Sequence, residues 1–117
     1  MRFCWSTVKV GDIERSLGFY EGFLGLRLVR RFASPSGEIA FLEGGAAEVE
    51  LIADPEGVCP GSGQTLGFET DSLEDAVRLA GDMGIRITAG PIRAGPATRF
   101  FFVEDPDGYG VQIVQNG

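Results

Sequence analysis

The sequence predicts an α+β fold made of two tandem βαβββ repeats. Three observations support this prediction. Four short motifs recur about sixty positions apart in the same order, each half opens with a strand-like run and then a helix-like run, and turn-forming residues separate the later runs. Because two copies are too few for a solenoid, we expect both halves to share one core.

The internal duplication rests on motif pairs that keep their order along the chain. The pairs are residues 12–14 with 72–74, 25–28 with 84–87, 41–43 with 102–104, and 49–52 with 111–114. A single pair would be uninformative. Four pairs in one order, with offsets that drift only slightly, indicate a duplicated unit.

The first repeat is predicted to contain a strand, a helix and three further strands. Residues from Phe3 to Val10 alternate between polar and apolar, which is typical of a strand. Asp12 is a suitable N-cap, apolar residues follow at helical spacing, and Gly25 stands where the helix should end. The further strands are predicted at 26–32, 38–43 and 48–53, with turns at 34–37 and 44–45.

The second repeat has the same order, after a linker rich in Pro, Gly and Ser at residues 54–63. Its first strand is predicted at 64–70, Ser72 caps the helix, and Gly84 ends it. The last strands are predicted at 85–89, 98–104 and 110–115, with a turn at 105–108. We therefore expect a single domain over residues 1–117, with repeat one at 1–57 and repeat two at 64–117.

The charge of the chain argues against several kinds of partner. The formal net charge is −7, with one lysine and nine scattered arginines, whereas a nucleic-acid-binding protein usually carries a basic face. We expect neither nucleic acid nor an anionic membrane surface as a partner, and a weak preference for cationic ligands. No run approaches the ~20 apolar residues that span a bilayer and no signal peptide is visible, so a cytoplasmic protein is expected.

The chain contains no histidine. This absence removes the Ser-His-Asp triad, the Cys-His dyad, the HExxH zinc site and the usual general base. Cys4 and Cys59 do not have the spacing of a disulfide framework, so reduced thiols are expected. Strand alternation places Cys4 opposite to Trp5, toward the core.

Two stretches of the chain resemble a known superfamily. They are the opening from Val8 to Leu17 followed by Phe19-Tyr20, and the ending from Phe102 to Tyr109. Both resemble the vicinal-oxygen-chelate superfamily, which includes glyoxalase I, bleomycin-resistance and extradiol dioxygenase proteins. The resemblance implies that the strands form a curled mixed sheet around a cup, which both halves line and a second subunit usually completes, so a homodimer is expected. It does not fix the function, because the superfamily hosts isomerases, dioxygenases, epimerases and drug-binding proteins.

In the metal-using members of that superfamily, four side chains from the first and last strands of each half hold the metal. Carried over to this chain, the positions are Trp5, Glu50, Thr65 (Gln64 if the register slips by one) and Gln112. Only Glu50 keeps the residue type of the family. An indole cannot coordinate, and Thr and Gln offer neutral oxygens. We expect no metal and no cofactor, while a hard ion held together with substrate oxygens stays open.

Alternation from Trp5 places Thr7 and Lys9 on the same face. The predicted ligand-binding residues are Trp5, Thr7, Lys9, Glu50, Thr65 and Gln112. Three of these residues also have an interpretation that needs no ligand. Trp5 would fill the space of a metal, Glu50 would be a remnant satisfied by Gln112 or an arginine, and Lys9 would be a solvated charge at a strand end.

Three functions remain open on the sequence alone. The favoured one is a metal-free small-molecule-binding protein of the glyoxalase/bleomycin-resistance type, with its ligand in the cup. The alternative is a glyoxalase I-like, metal-dependent isomerase or lyase that uses Glu50 as its catalytic base, and the missing co-ligands argue against it. A partner-binding module whose cup is filled by Trp5 and phenylalanines has no specific support.

Overall fold

The computed structural model describes residues 1–61 and 63–117, which divide into two compact units, Met1–Cys59 and Pro60–Gly117. Ser62, in the predicted linker, lies outside the described residues. Each unit follows the β-α-β-β-β order and holds one four-stranded mixed sheet. The predicted α+β class and the two repeats are therefore confirmed, and the strands form two sheets, one in each unit.

The first unit opens with β1 (Trp5–Val10) and α1 (Ile13–Leu17), and the helix continues as π-helical turns over Gly18–Phe23. The remaining strands are β2 (Arg27–Ser34), β3 (Gly37–Glu43) and β4 (Glu48–Ala53), followed by a short 3-10 turn at Pro55–Gly57. The sheet order is β1-β4-β3-β2. β1 runs parallel to β4, and the other neighbours are antiparallel.

The second unit repeats this arrangement. Its elements are β5 (Leu66–Glu69), α2 (Leu73–Asp82), β6 (Ile87–Ala94), β7 (Thr98–Glu104) and β8 (Gly110–Asn116). The sheet order is β5-β8-β7-β6, again with one parallel pair, between β5 and β8. In the described residues, no helix is long and apolar enough to cross a bilayer.

The helix signals of the sequence act as predicted. The Asp12 carboxylate accepts hydrogen bonds from the backbone N–H groups of Glu14 and Arg15, at 3.0 and 3.3 Å. Ser72 Oγ accepts the N–H of Asp75 at 3.2 Å. Gly25 ends the first helical segment with a φ of +73°, a left-handed conformation that glycine adopts at little cost.

The core of each unit lies between its helix and one face of its sheet. In the first unit the buried residues include Val8, Val10, Ala40, Leu42, Val49, Leu51, Ile13, Leu17 and Tyr20. In the second they include Phe101, Val103, Val111, Ile113, Leu73 and Ala80. Because successive strand residues point to opposite faces, the residues between these lie on the other face of each sheet.

Strand boundaries differ from the prediction where pairing decides them. β1 begins at Trp5, not Phe3, because its partner β4 begins at Glu48, which pairs with Trp5. Cys4 therefore precedes the strand and is exposed, so its predicted core position is wrong. β6 runs on through Gly90-Pro91 to Ala94 instead of ending at residue 89. It is an edge strand with register shifts, where a proline does not break a central ladder.

Candidate functional site

Three of the predicted site residues lie on the face of the first sheet that is turned away from its core. Trp5, Thr7 and Lys9 are exposed, and they alternate along β1 with the buried Val8 and Val10. We call this surface the open face of the first sheet. Its placement follows from the period of two along a strand, as the sequence predicted.

Glu50 joins this group through strand register. It lies opposite Thr7 on the parallel neighbour β1 and opposite Phe41 on the antiparallel neighbour β3. The Thr7 hydroxyl donates a hydrogen bond of 2.6 Å to Glu50 Oε1, a length typical of a charge-assisted O–H···O⁻ bond. The partner of Glu50 is therefore Thr7 on the neighbouring strand. The sequence alone suggests Gln112 or an arginine instead.

Phe41 connects Glu50 to an aromatic cluster that the sequence analysis missed. The Phe41 ring meets Trp5 edge-on, with centroids 5.0 Å apart, and stacks with Phe32 at 6.3 Å. Phe41 is only 4% exposed, whereas Trp5 and Phe32 are 41% and 45% exposed. We call these three rings the aromatic platform. Its two outer rings present apolar area to solvent, as an aromatic contact surface would.

Arg30 covers the centre of the platform. Its guanidinium carbon lies 4.0 Å from the Phe41 ring centroid, within cation–π distance. The same guanidinium donates two hydrogen bonds to the Glu48 carboxylate, at 3.0 and 3.2 Å. This fork-like pairing holds Arg30 in place, so its charge is already matched.

Lys9 also has a partner. Its Nζ lies 3.2 Å from Asp54 Oδ2, in an ion pair at the end of β1. The sequence predicts either a ligand anion or solvent around Lys9, and the structure adds this neighbouring carboxylate. A ligand anion at Lys9 would have to compete with Asp54.

Gln112, in the second unit, occupies the position that Glu50 holds in the first. It lies opposite Gly67 on β5 and Phe102 on β7, as Glu50 lies opposite Thr7 and Phe41. A Cβ built on Gly67 would stand 3.7 Å from Gln112 Oε1. Because glycine supplies no hydroxyl there, the Gln112 amide has no hydrogen-bond partner among the residues that the structure describes.

Thr65 stands one residue before β5 and two before Gly67. Its methyl carbon would lie 2.9 Å from a Cβ built on Gly110, so the side chain rests against the start of β8. The strand period then places Thr65, and not Gln64, on the face that carries Gln112. Thr65 therefore corresponds to Trp5 of the first unit. Each stands two residues before the residue that pairs with Gln112 or Glu50, which is Gly67 in one unit and Thr7 in the other.

The equivalent positions of the two units do not supply the donors that a tightly held transition metal needs. They offer one carboxylate (Glu50), one amide (Gln112), one hydroxyl (Thr65) and one indole (Trp5), which has no coordinating atom. Zinc, nickel, cobalt and iron sites use several imidazole, carboxylate or thiolate ligands. In residues 1–61 and 63–117, no three Cys, Asp or Glu side chains cluster closely enough to hold a metal ion.

A cleft of about 370 Å³ opens beside the Arg30–Glu48 pair. Phe3 and Cys4 line it on the side that leads into β1, and the turn between β3 and β4 lines the other side. The cleft and the open face share Arg30 and Glu48.

Comparison with known protein families places the chain among related proteins. Residues 4–113 match the model of the glyoxalase/bleomycin resistance protein/dioxygenase superfamily. The lactoylglutathione lyase of Haemophilus influenzae is 36% identical over 128 residues, covering 99% of this chain and 93% of the relative. That of Neisseria meningitidis serogroup B is 33% identical over 127 residues, covering 98% and 91%.

Solved structures show the same fold. A variant of glyoxalase I from Zea mays has a TM-score of 0.83 at 28% identity, covering 99% of this chain and 45% of that protein. TnmS3, an antibiotic binding protein from Streptomyces sp. CB03234, has a TM-score of 0.82 at 21% identity, covering 100% and 97%. One fold thus serves both an enzyme and a binding protein, and the side chains of the site must distinguish them.

Proposed function

The chain belongs to the glyoxalase/bleomycin resistance protein/dioxygenase superfamily, and from this premise we propose that it is a metal-independent small-molecule-binding protein. The ligand lies on the open face of the first sheet. Trp5 supplies a ring for contact, and Glu50 and Thr7 supply polar anchors. Gln112 and Thr65 serve the same purpose in the second unit, and Lys9 has a minor part because Asp54 neutralises it.

One observation carries this proposal. The single carboxylate at the four positions, Glu50, is hydrogen-bonded by the Thr7 hydroxyl at 2.6 Å, and an indole stands two residues before Thr7. This arrangement suits a carboxylate that accepts hydrogen bonds beside an aromatic surface. It does not suit a metal ligand that needs several ionised or imidazole neighbours.

Metal retention tests the proposal. The protein is stripped with chelator, dialysed in turn against Ni, Zn, Co and Fe, washed, and analysed for metal per chain. We expect retention near zero, and we expect the metal-stripped protein to be stabilised against thermal unfolding by ligands from a small-molecule library, because a ligand that binds only the folded state raises the melting temperature. Stoichiometric retention of any of these metals would contradict the proposal.

A second candidate is favoured by the similarity to relatives named lactoylglutathione lyase. In this function the chain is a lyase or isomerase, and Glu50 is the general base that moves a proton on the substrate. The residues do not fit the metal that this chemistry uses in the superfamily. The cations Arg30 and Lys9 of the open face pair with Glu48 and Asp54, so they are poorly placed to stabilise a developing negative charge on a substrate. An assay for lactoylglutathione lyase activity decides between the candidates: activity that is lost in Glu50→Gln would establish the enzyme.

The remaining expectations concern the surroundings of the protein. We infer a homodimer in the cytoplasm, with a small molecule and neither nucleic acid nor membrane as its partner. The acidic net charge of −7 and the superfamily membership support this. Sedimentation at micromolar concentration tests the dimer, which would have twice the chain mass of 12.5 kDa.

A further inference from the structure

We propose that the open face of the first sheet selects ligands in which an aromatic ring carries a positively charged amine on a short linker, the ring lying on Trp5 and the amine at Glu50. This inference rests on the proposed ligand-binding function and adds the chemical class of the ligand. It follows from the charge balance of the face and from the spacing of its residues.

The charges of the open face cancel in pairs, with one exception. Arg30 pairs with Glu48, Lys9 with Asp54, and Arg27 with Glu43. Glu50 lies among these pairs, is half-buried, and forms no ion pair with any residue that the structure describes. The face therefore carries one uncompensated negative charge, and that charge is at Glu50.

The Glu50 carboxylate has room for a second hydrogen bond. Its Oε1 accepts the Thr7 hydroxyl, while a carboxylate can accept about four hydrogen bonds in all. A half-buried carboxylate loses part of its hydration, so a charged N–H donor from a ligand would stabilise it more than a neutral group would. A ligand anion finds no comparable site at Arg30, Lys9 or Arg27 on the strands of this face, because each of these cations already has a carboxylate partner.

The spacing of the ring and the amine comes from the strand. Trp5 and Glu50 are diagonal neighbours on β1 and β4, two residues along the strand and one strand across, so their backbones lie about 8 Å apart. The side chains and the hydrogen bond of the amine to the carboxylate shorten the distance that the ligand itself must span. Trp5 is 41% exposed, and its contact with Phe41 is edge-on, so part of the indole stays open to a second ring. An amine linked to a phenyl ring by three carbons covers this distance.

Trp5 is the only tryptophan of the chain, so its fluorescence reports directly on the proposed contact. Three probes share a phenylpropyl group and differ in the charge and chemistry of the polar head: 3-phenylpropylammonium, 3-phenyl-1-propanol and 4-phenylbutyrate. Light near 295 nm does not excite the phenyl rings of the probes, so the emission comes from Trp5. We expect saturable changes in emission with the ammonium probe at roughly millimolar concentration, as for other fragments of this size. The alcohol should bind about fivefold more weakly, and the carboxylate more weakly still.

Two variants separate the local charge from the overall field of the protein. Glu50→Gln keeps an oxygen that can accept the Thr7 hydroxyl but removes the charge, so the ammonium probe should bind no better than the alcohol. Glu56→Gln removes the same unit of charge at an exposed position in the 3-10 turn. It should keep the preference for the ammonium probe. Circular dichroism at each titration condition confirms that both variants are folded.

The possible results are distinguishable. If the alcohol and the ammonium probe bind equally, or if Glu56→Gln loses the preference as fully as Glu50→Gln does, the ligand class is wrong while the proposed binding function stands. A preference for 4-phenylbutyrate overturns the ligand class in the same way. If no probe gives a saturable change in Trp5 emission, the open face is not a ligand surface, and the proposed function fails together with this inference.

Discussion

Trp5 and Glu50 stand at neighbouring positions of the open face, and their surroundings differ in kind. The indole contacts a buried ring, Phe41, through its edge, and 41% of it remains exposed. The carboxylate is held by a short hydrogen bond from Thr7. An exposed aromatic ring beside an oriented acceptor provides both apolar contact area and a direction for a polar group, which are the two requirements of small-molecule recognition.

Replacing Trp5 by Ala distinguishes a contact surface from a space filler. Because the side chain is only partly buried, we expect the free energy of unfolding to fall by about 1–2 kcal/mol, well below the cost of removing a core aromatic. Binding of 3-phenylpropylammonium, measured by calorimetry, should weaken at least about tenfold, since the ring contact is lost. Ile92→Ala is the control: Ile92 is also 41% exposed but lies in the second unit. Unchanged binding in Trp5→Ala would end the stacking hypothesis.

The individual site residues were only partly predictable from the sequence. The period of two along β1 was enough to place Trp5, Thr7 and Lys9 on one face. The contacts of Glu50 with Thr7, and of Phe41 with Trp5, depend on the register between strands that are far apart in the chain. A shift of two residues would keep each side chain on its face and change all of its cross-strand partners, so the alternation of the sequence alone does not determine these contacts. The contact of Arg30 with Phe41 is not predictable from the sequence for the same reason, because β2 has a bulge just before Arg30.

The secondary structure elements were more predictable than the contacts between them. β4 and β7 have the predicted boundaries, and the N-caps Asp12 and Ser72 act as expected, because alternation and capping are properties of a few adjacent residues. The π-helical turns from Gly18 to Phe23 carry no comparable local signal.

α1 and β3 are linked by Arg31, which bonds to Glu14 and Glu38. The hydrogen bond with Arg31 lowers the pKa of Glu38 from its ordinary value of 4.5. A depressed carboxyl pKa stabilises the fold above the unfolded pKa, and the stabilisation is lost as the pH falls through the folded value.

The melting temperature of Glu38→Gln should therefore lie below that of the unmodified protein at pH 7. The difference should close as the pH falls below the ordinary value of 4.5 and through the lower folded pKa, because protonation of Glu38 then removes from the unmodified protein the ion pair that the variant already lacks. Salt should shrink the difference at pH 7, since the pair is exposed. For Glu56→Gln, measured in parallel, the difference in melting temperature should not close in this way. If the difference for Glu38→Gln widens in acid, the Arg31–Glu38 ion pair does not stabilise the fold.

At the scale of the whole molecule, the two units have the same topology and different contents. The first holds the only tryptophan and the Thr7–Glu50 pair, and the second has Gly67 and Gln112 at the matching positions. Duplication thus preserved the framework of strands while the residues on the open faces diverged. Fold and site are separable in this chain for that reason: buried positions must satisfy packing in both copies, whereas exposed positions are not held to that requirement.

The sequence predicts that residues 1–117 form one domain with a shared core, and thermodynamic coupling of the units tests this. Each unit alone has about sixty residues, a size at which a single core is marginal. We expect one cooperative unfolding transition in urea, with the same midpoint by Trp5 fluorescence, which reports on the first unit, and by circular dichroism, which reports on both.

A substitution in the core of the second unit makes the test sharper. Phe101 is fully buried, and Phe101→Leu should lower the free energy of unfolding by about 1–2 kcal/mol through lost packing. If the units unfold together, the midpoint seen by Trp5 shifts by the same amount as the midpoint seen by circular dichroism, although Trp5 lies in the other unit. If the midpoint seen by Trp5 fluorescence does not shift, the first unit folds independently, and residues 1–117 are then two domains.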